Sequence, residues 1–121
     1  MSANDVVTEF IKAWSAGNPD NLAEYFTEDA VYHNIPMEPV TGRTAIRDFI
    51  ASFLGMFDEV SFVIHRQLAD GDVVLNERTD TFHRNGKTVD LPVMGTFELR
   101  DGKIAAWRDY FDMNQFTSQM G

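Results

Sequence analysis

The sequence predicts an α+β domain in which a curved, antiparallel or mixed sheet wraps three to four N-terminal helices into a cone. Three observations carry this. The first half of the chain has helical hydrophobic periodicity, the second half has β texture cut by evenly spaced turn signals, and no βαβ alternation calls for a parallel sheet.

Residues 4 to 16 place Val6, Val7, Phe10, Ile11 and Trp14 on one helical face, with Asn4 or Asp5 as N-cap and Gly17-Asn18-Pro19 as the stop. Asp20 can cap a short second helix through Leu22, Tyr25 and Phe26; Thr27-Glu28-Asp29 then reads as a turn into a strand from Ala30 to Ile35. Pro36 and Pro39 end that strand. Thr41-Gly42 opens a third helix whose Ile46, Phe49, Ile50, Phe53, Leu54 and Phe57 make a broad apolar face. From Val60 onward, Asp70-Gly71-Asp72, Asn85-Gly86 and Asp101-Gly102 are spaced as the turns of a four-strand meander. Residues 117 to 121 read as a loose tail.

A chain of 121 residues suits one domain, residues 1–121, with one core and one pocket. Cysteine is absent, which removes disulfides, thiolate catalysis and Cys-based zinc sites. The net charge of -9 opposes binding to nucleic acid and to anionic membrane surfaces. With no targeting segment or apolar span, the expected setting is cytoplasmic and the expected partner a small molecule.

The functional signal lies in polar residues on otherwise apolar strand faces. In LNERTDTF, Asn76, Arg78, Asp80 and Phe82 share one face, with Asn76 expected nearer the pocket mouth. In the last strand Ala105, Trp107, Asp109 and Phe111 share a face, so an Asp sits between aromatics. Tyr32 and Asn34 share a face of the first strand. Leu91, Val93, Gly95 and Phe97 form a smooth floor.

If the sheet turns these faces into one cavity, Asp80, Arg78 and Asp109 form a cluster of charge -1. One shared proton would make it neutral, dividing the carboxyls into an acid and a base. Arg can bridge both carboxylates with its planar fork, which Lys cannot. Tyr32 and Asn34 suit holding a water against the basic Asp. Against this stands the plain reading of Arg78 and Asp80 as an exposed strand ion pair. His33, His65 and His83 lie on separate strands with no metal-ligand spacing, so no metal site is expected.

YHNIP, TGRTAI, NERTD and GKIAAWRDYFD, in that order over nearly the whole chain, resemble the limonene-1,2-epoxide hydrolase family within the nuclear transport factor 2-like fold. The resemblance implies that Asp109 is the base that deprotonates water, Tyr32 and Asn34 position that water, Asp80 protonates the epoxide oxygen and Arg78 bridges the two carboxyls. It implies a one-step, cofactor-free conversion of an apolar, cyclic or terpenoid epoxide to a vicinal diol, in a homodimer paired through the outer face of the sheet. Ile11, Trp14, Phe53, Phe57, Phe82, Leu91, Val93 and Phe111 are the expected pocket lining. The fold leaves two alternatives open, an isomerase or polyketide cyclase with one proton-shuttling Asp, and a non-catalytic binding module.

Overall fold

The computed structural model describes residues 1–120, and its chain order is helices first, meander second, as expected. Helix α1 (Ala3–Ala13) is followed by a single 3-10 turn, Trp14–Ala16. Ser2, rather than Asn4 or Asp5, caps α1: its hydroxyl accepts from Asp5 N while Asp5 returns a carboxylate to Ser2 N, a reciprocal capping box. Gly17, at φ 66°, ends the segment in the left-handed region that glycine enters without a Cβ penalty.

Helix α2 is only Pro19–Ala23, and its cap is Asn18, whose side chain accepts from Asn21 N, not Asp20. The expected helical Phe26 and the expected turn Thr27-Glu28-Asp29 belong instead to strand β1, Phe26–Asn34. Tertiary contacts override the local signal here. Phe26 is fully buried with its ring edge-on to Phe10 at 5.4 Å, and its carbonyl accepts from Arg43 Nε and Nη2 at 3.0 and 2.7 Å.

A two-residue strand β2 (Val40–Thr41), absent from the sequence reading, leads through Gly42 into helix α3, Arg43–Leu54. The meander follows: β3 (Glu59–Asp70), β4 (Val73–Arg84), β5 (Lys87–Arg100) and β6 (Lys103–Tyr110). Asn85-Gly86 and Asp101-Gly102 turn the last two hairpins with positive φ at both residues, the geometry that matches strand twist. The sheet order is β2-β1-β6-β5-β4-β3, with β1 parallel to β6 and the other pairs antiparallel. That parallel register sets Tyr32 beside Trp107 and Asn34 beside Asp109.

The segment expected to be loose is helix α4 (Met113–Met120) up to its last described residue; Gly121 lies outside the described residues. Gln119 fastens it to β5, accepting from Asp90 N and donating to Asp90 O, both at 3.0 Å. Among the described residues no helix is long and apolar enough to cross a membrane.

The core is aromatic. Phe10 meets Trp14, Tyr25, Phe26, Phe97 and Trp107 in edge-on contacts of 5.1 to 6.4 Å. Trp107 lies flat between Tyr32 and Phe97, at centroid distances of 4.2 and 5.2 Å. These contacts tie α1 to the inner face of the sheet and leave the other end of the cone free for a cavity.

Candidate active site

Strand alternation turns Asn76, Arg78, Asp80 and Phe82 inward from β4, and Trp107 and Asp109 inward from β6. Arg78 is 1% exposed, and Asp80 and Asp109 are each 4% exposed, which excludes the exposed ion pair as their explanation. Arg78 donates Nε to Asp80 Oδ1 at 3.0 Å and Nη2 to Asp80 Oδ2 at 2.9 Å. It donates Nη1 to Asp109 Oδ1 at 3.2 Å and Nη2 to Asp109 Oδ2 at 2.7 Å. The remaining Nη1 hydrogen goes to Asn76 Oδ1 at 3.0 Å. All five guanidinium N–H groups therefore have acceptors, the condition under which a buried Arg is tolerated.

Burial opposes the charge on Arg78, but the Asp109 and Asp80 carboxylates more than offset it and hold the guanidinium above its ordinary range. For Asp80, burial dominates: it raises the carboxyl from 3.8 to about 6, against the Arg78 charge and hydrogen bonds, with the Asp109 charge adding to the rise. Asp109 has an additional donor, Trp107 Nε1, at 2.7 Å. The two carboxyls thus differ in surroundings in the way an acid and base pair requires.

Tyr32 and Asn34 reach the same cavity from β1. Burial, then the Asp109 charge, pushes the Tyr32 phenol well above its usual range, so it stays protonated and donates to Asn34 Oδ1 at 3.3 Å. That contact turns the Asn34 amide oxygen toward the phenol and leaves its N–H donors for another group.

The cavity encloses about 70 Å³, and its wall includes Tyr32, Asn34, Asp80 and Asp109. Six of the expected apolar residues line it: Trp14, Phe53, Phe82, Leu91, Val93 and Phe111. Ile11 and Phe57 do not. Ile11 is core on the inner side of α1, bordering a separate surface groove with Phe62 and Ile64. Phe57 lies beyond the end of α3 and packs behind the wall, against Phe53, Phe82 and Phe116.

Sequence reasoning missed Met37, Phe49, Phe62, Met113 and Phe116, which complete the lining. Phe49 was legible on the apolar face of α3; Met113 and Phe116 depend on α4. Asn76 corrects another expectation: it sits behind Arg78 and is absent from the cavity wall, rather than near the mouth. Gly95, expected only as floor, faces the cluster so closely that a Cβ there would come within 2.5 Å of Arg78 Nη1 and 2.8 Å of Asp109 Oδ1. Among the described residues no group of His, Asp and Glu is placed to hold a metal ion.

The SnoaL-like domain family matches residues 7–107. Epoxide hydrolase EphG of Mycobacterium tuberculosis is 35% identical over 108 residues, spanning 88% of this chain and 71% of that protein. A solved LEH-like epoxide hydrolase of M. tuberculosis is 32% identical with a TM-score of 0.86, over 97% of this chain and 87% of that one. A Catenulispora acidiphila protein described as having a ketosteroid isomerase-like fold, solved with trimethylamine, is 26% identical at a TM-score of 0.86, over 94% of this chain and 90% of that one. The nuclear transport factor 2-like fold and the kinship with limonene-1,2-epoxide hydrolases are thereby borne out, and the chain belongs to the SnoaL-like domain family.

Proposed function

We propose that this protein is a cofactor-independent epoxide hydrolase that converts an apolar, cyclic or terpenoid epoxide to a vicinal diol. The observation that carries the reading is one guanidinium bridging two buried carboxyls on the wall of an otherwise apolar cavity. Asp109 takes a proton from a water held by Tyr32 and Asn34, and the water oxygen attacks an epoxide carbon. As the C–O bond breaks, protonated Asp80 gives its proton to the departing oxygen. The step leaves Asp80 ionised and Asp109 protonated; one proton passed back between them, across the bridge that Arg78 maintains or through solvent, restores the starting state.

Kinship with proteins named epoxide hydrolase supports this reading. An isomerase or cyclase needs one proton-shuttling Asp and an oxyanion donor and has no use for a guanidinium shared between two carboxyls, whereas here four of the five Arg78 N–H groups are spent on Asp80 and Asp109. A binding module has no need of a buried carboxyl whose titration burial lifts to about 6. The test is diol formation from cyclic epoxides in oxygen-18 water. Wild type should place the label in the diol within a single turnover, and Asp109→Asn and Asp80→Asn should remain folded and inactive; near-native turnover in either variant would sink the assignment.

The same reading includes a homodimer. Val63, Leu68, Val73, Leu75, Met94 and Tyr110 are exposed, and strand register places them together on the outer face of β3 to β6, a patch of the kind that marks association.

A further inference from the structure

The cluster does not end at Arg78. Asn76 accepts from Arg78 Nη1 through Oδ1 and donates Nδ2 to Gln67 Oε1 at 3.1 Å. Gln67 Nε2 in turn donates to Thr8 Oγ1, Asn4 Oδ1 and Asn4 O, at 2.8, 2.9 and 3.2 Å. The last of these fixes the direction of the whole chain. A backbone carbonyl can only accept, so the Gln67 end facing α1 is the NH2; its oxygen must then face Asn76, and the Asn76 oxygen must face Arg78. Asn76 is 1% exposed and touches no cavity wall, so it can act on a ligand only through the guanidinium.

We propose that Asn76, oriented by Gln67, is a positioning residue that takes the fifth N–H of Arg78 and so sets the plane in which the guanidinium presents Asp80 and Asp109. The proposal rests on the reading of those two carboxyls as the catalytic pair. Without the Asn76 acceptor, one Arg78 N–H would be buried and unpaired, and the guanidinium would turn toward whatever oxygen it could reach. Both bidentate contacts would slacken. Asp80 would lose part of the stabilisation of its charged form, and its titration would move upward. Because no cavity contact changes, the loss should fall on kcat and spare KM.

The experiment compares wild type, Asn76→Leu, Asn76→Thr and Gln67→Met in turnover of cyclohexene oxide across pH, and in carbon-13 carboxyl NMR titration of labelled Asp80. Asn76→Leu should lower kcat about tenfold with KM held within about twofold, as misplaced catalytic groups do. It should also move the Asp80 titration upward. The Asn76→Thr hydroxyl supplies an acceptor and should recover much of both effects, while Gln67→Met should shift both in the same direction by less. Wild-type kcat and an unmoved Asp80 titration in Asn76→Leu would overturn the proposal. Should Asn76→Leu not fold, an Asp80 titration unchanged in Gln67→Met would do the same. If wild type turns over no epoxide, the hydrolase reading fails on that result, while the titrations still decide whether Asn76 governs the cluster.

Discussion

Trp107 donates its indole N–H to Asp109 Oδ1 across 2.7 Å, linking two residues that share the inner face of one strand. The indole is itself clamped flat between Tyr32 and Phe97, so the donor cannot drift. Trp107→Phe keeps much of the aromatic packing and removes the N–H. A hydrogen bond to a charged group contributes about 1.5 to 3 kcal/mol, and the variant should lose stability on that scale in urea unfolding, with a fall in kcat.

Replacing Arg78 should be more damaging to the fold than replacing either carboxyl. Arg78→Met leaves two buried carboxylates facing each other without their cation, and breaking a buried pair in this way costs about 3 to 5 kcal/mol. Burial already raises Asp80 against the pull of Arg78, so without that cation Asp80 is easier still to protonate in the folded state than in the unfolded chain, and the variant should be most stable in acid and lose stability as pH rises. Thermal melts at several pH values check this; a variant as stable as wild type at neutral pH would contradict it.

The wild-type protein should show a related trend. Asp80 is raised from 3.8 to about 6, so between those values the folded state holds more protons than the unfolded one. Its contribution to stability is therefore complete below about pH 4 and is lost as pH rises through about 6. The same titration removes the acid needed for the proposed reaction, so kcat/KM should decline on the alkaline side of about pH 6. An Asp80→Asn background should abolish the stability component.

Gly95→Ala should disrupt the cluster without touching a charged residue. The added methyl would sit 2.5 Å from Arg78 Nη1 and 2.9 Å from Asn76 Oδ1, and a guanidinium held on every side cannot step back. Overpacking of this kind costs about 1 to 3 kcal/mol, and the variant should keep its secondary structure by circular dichroism while losing activity.

Leu75→Glu tests the dimer. Leu75 faces outward beside exposed Leu68, on the opposite face of β4 from Asn76, Arg78 and Asp80, so a charge there should leave the site intact. Sedimentation should find wild type dimeric and the variant monomeric.

Alternation made the inward set of Tyr32, Asn34, Arg78, Asp80 and Asp109 legible because side-chain direction along a strand is a local property with period two. Depth is not local. Asn76 shares the face of Arg78, but which end of β4 lies under the open mouth depends on where α1 and Gln67 close the cone. Ile11 and Phe57 were misplaced for the same reason: an apolar helix face predicts burial, not which buried residues border a cavity. Thr27-Glu28-Asp29 looked like a turn because its residues are polar, yet β6 pairs with Phe26 before it and Val31 after it, and Arg43 holds the Phe26 carbonyl, so it runs on as an irregular stretch of β1. Helix α4 has weak periodicity of its own, and short helices in proteins depend on docking, here through Gln119 and Phe116.

The saturation of Arg78 has a consequence for what the cavity can admit. Although a full positive charge lies just behind the wall, it does not line the cavity, and each of its hydrogens is already committed. A visiting carboxylate or phosphate would meet Asp80 and Asp109 with no cation to answer it, whereas a neutral molecule offering an N–H or O–H would find Asp109 Oδ2, which has one donor where Oδ1 has two, ready to accept. The arginine that assembles the site thus also makes it a filter against anions, and compounds that block it should be neutral hydrogen-bond donors rather than acids.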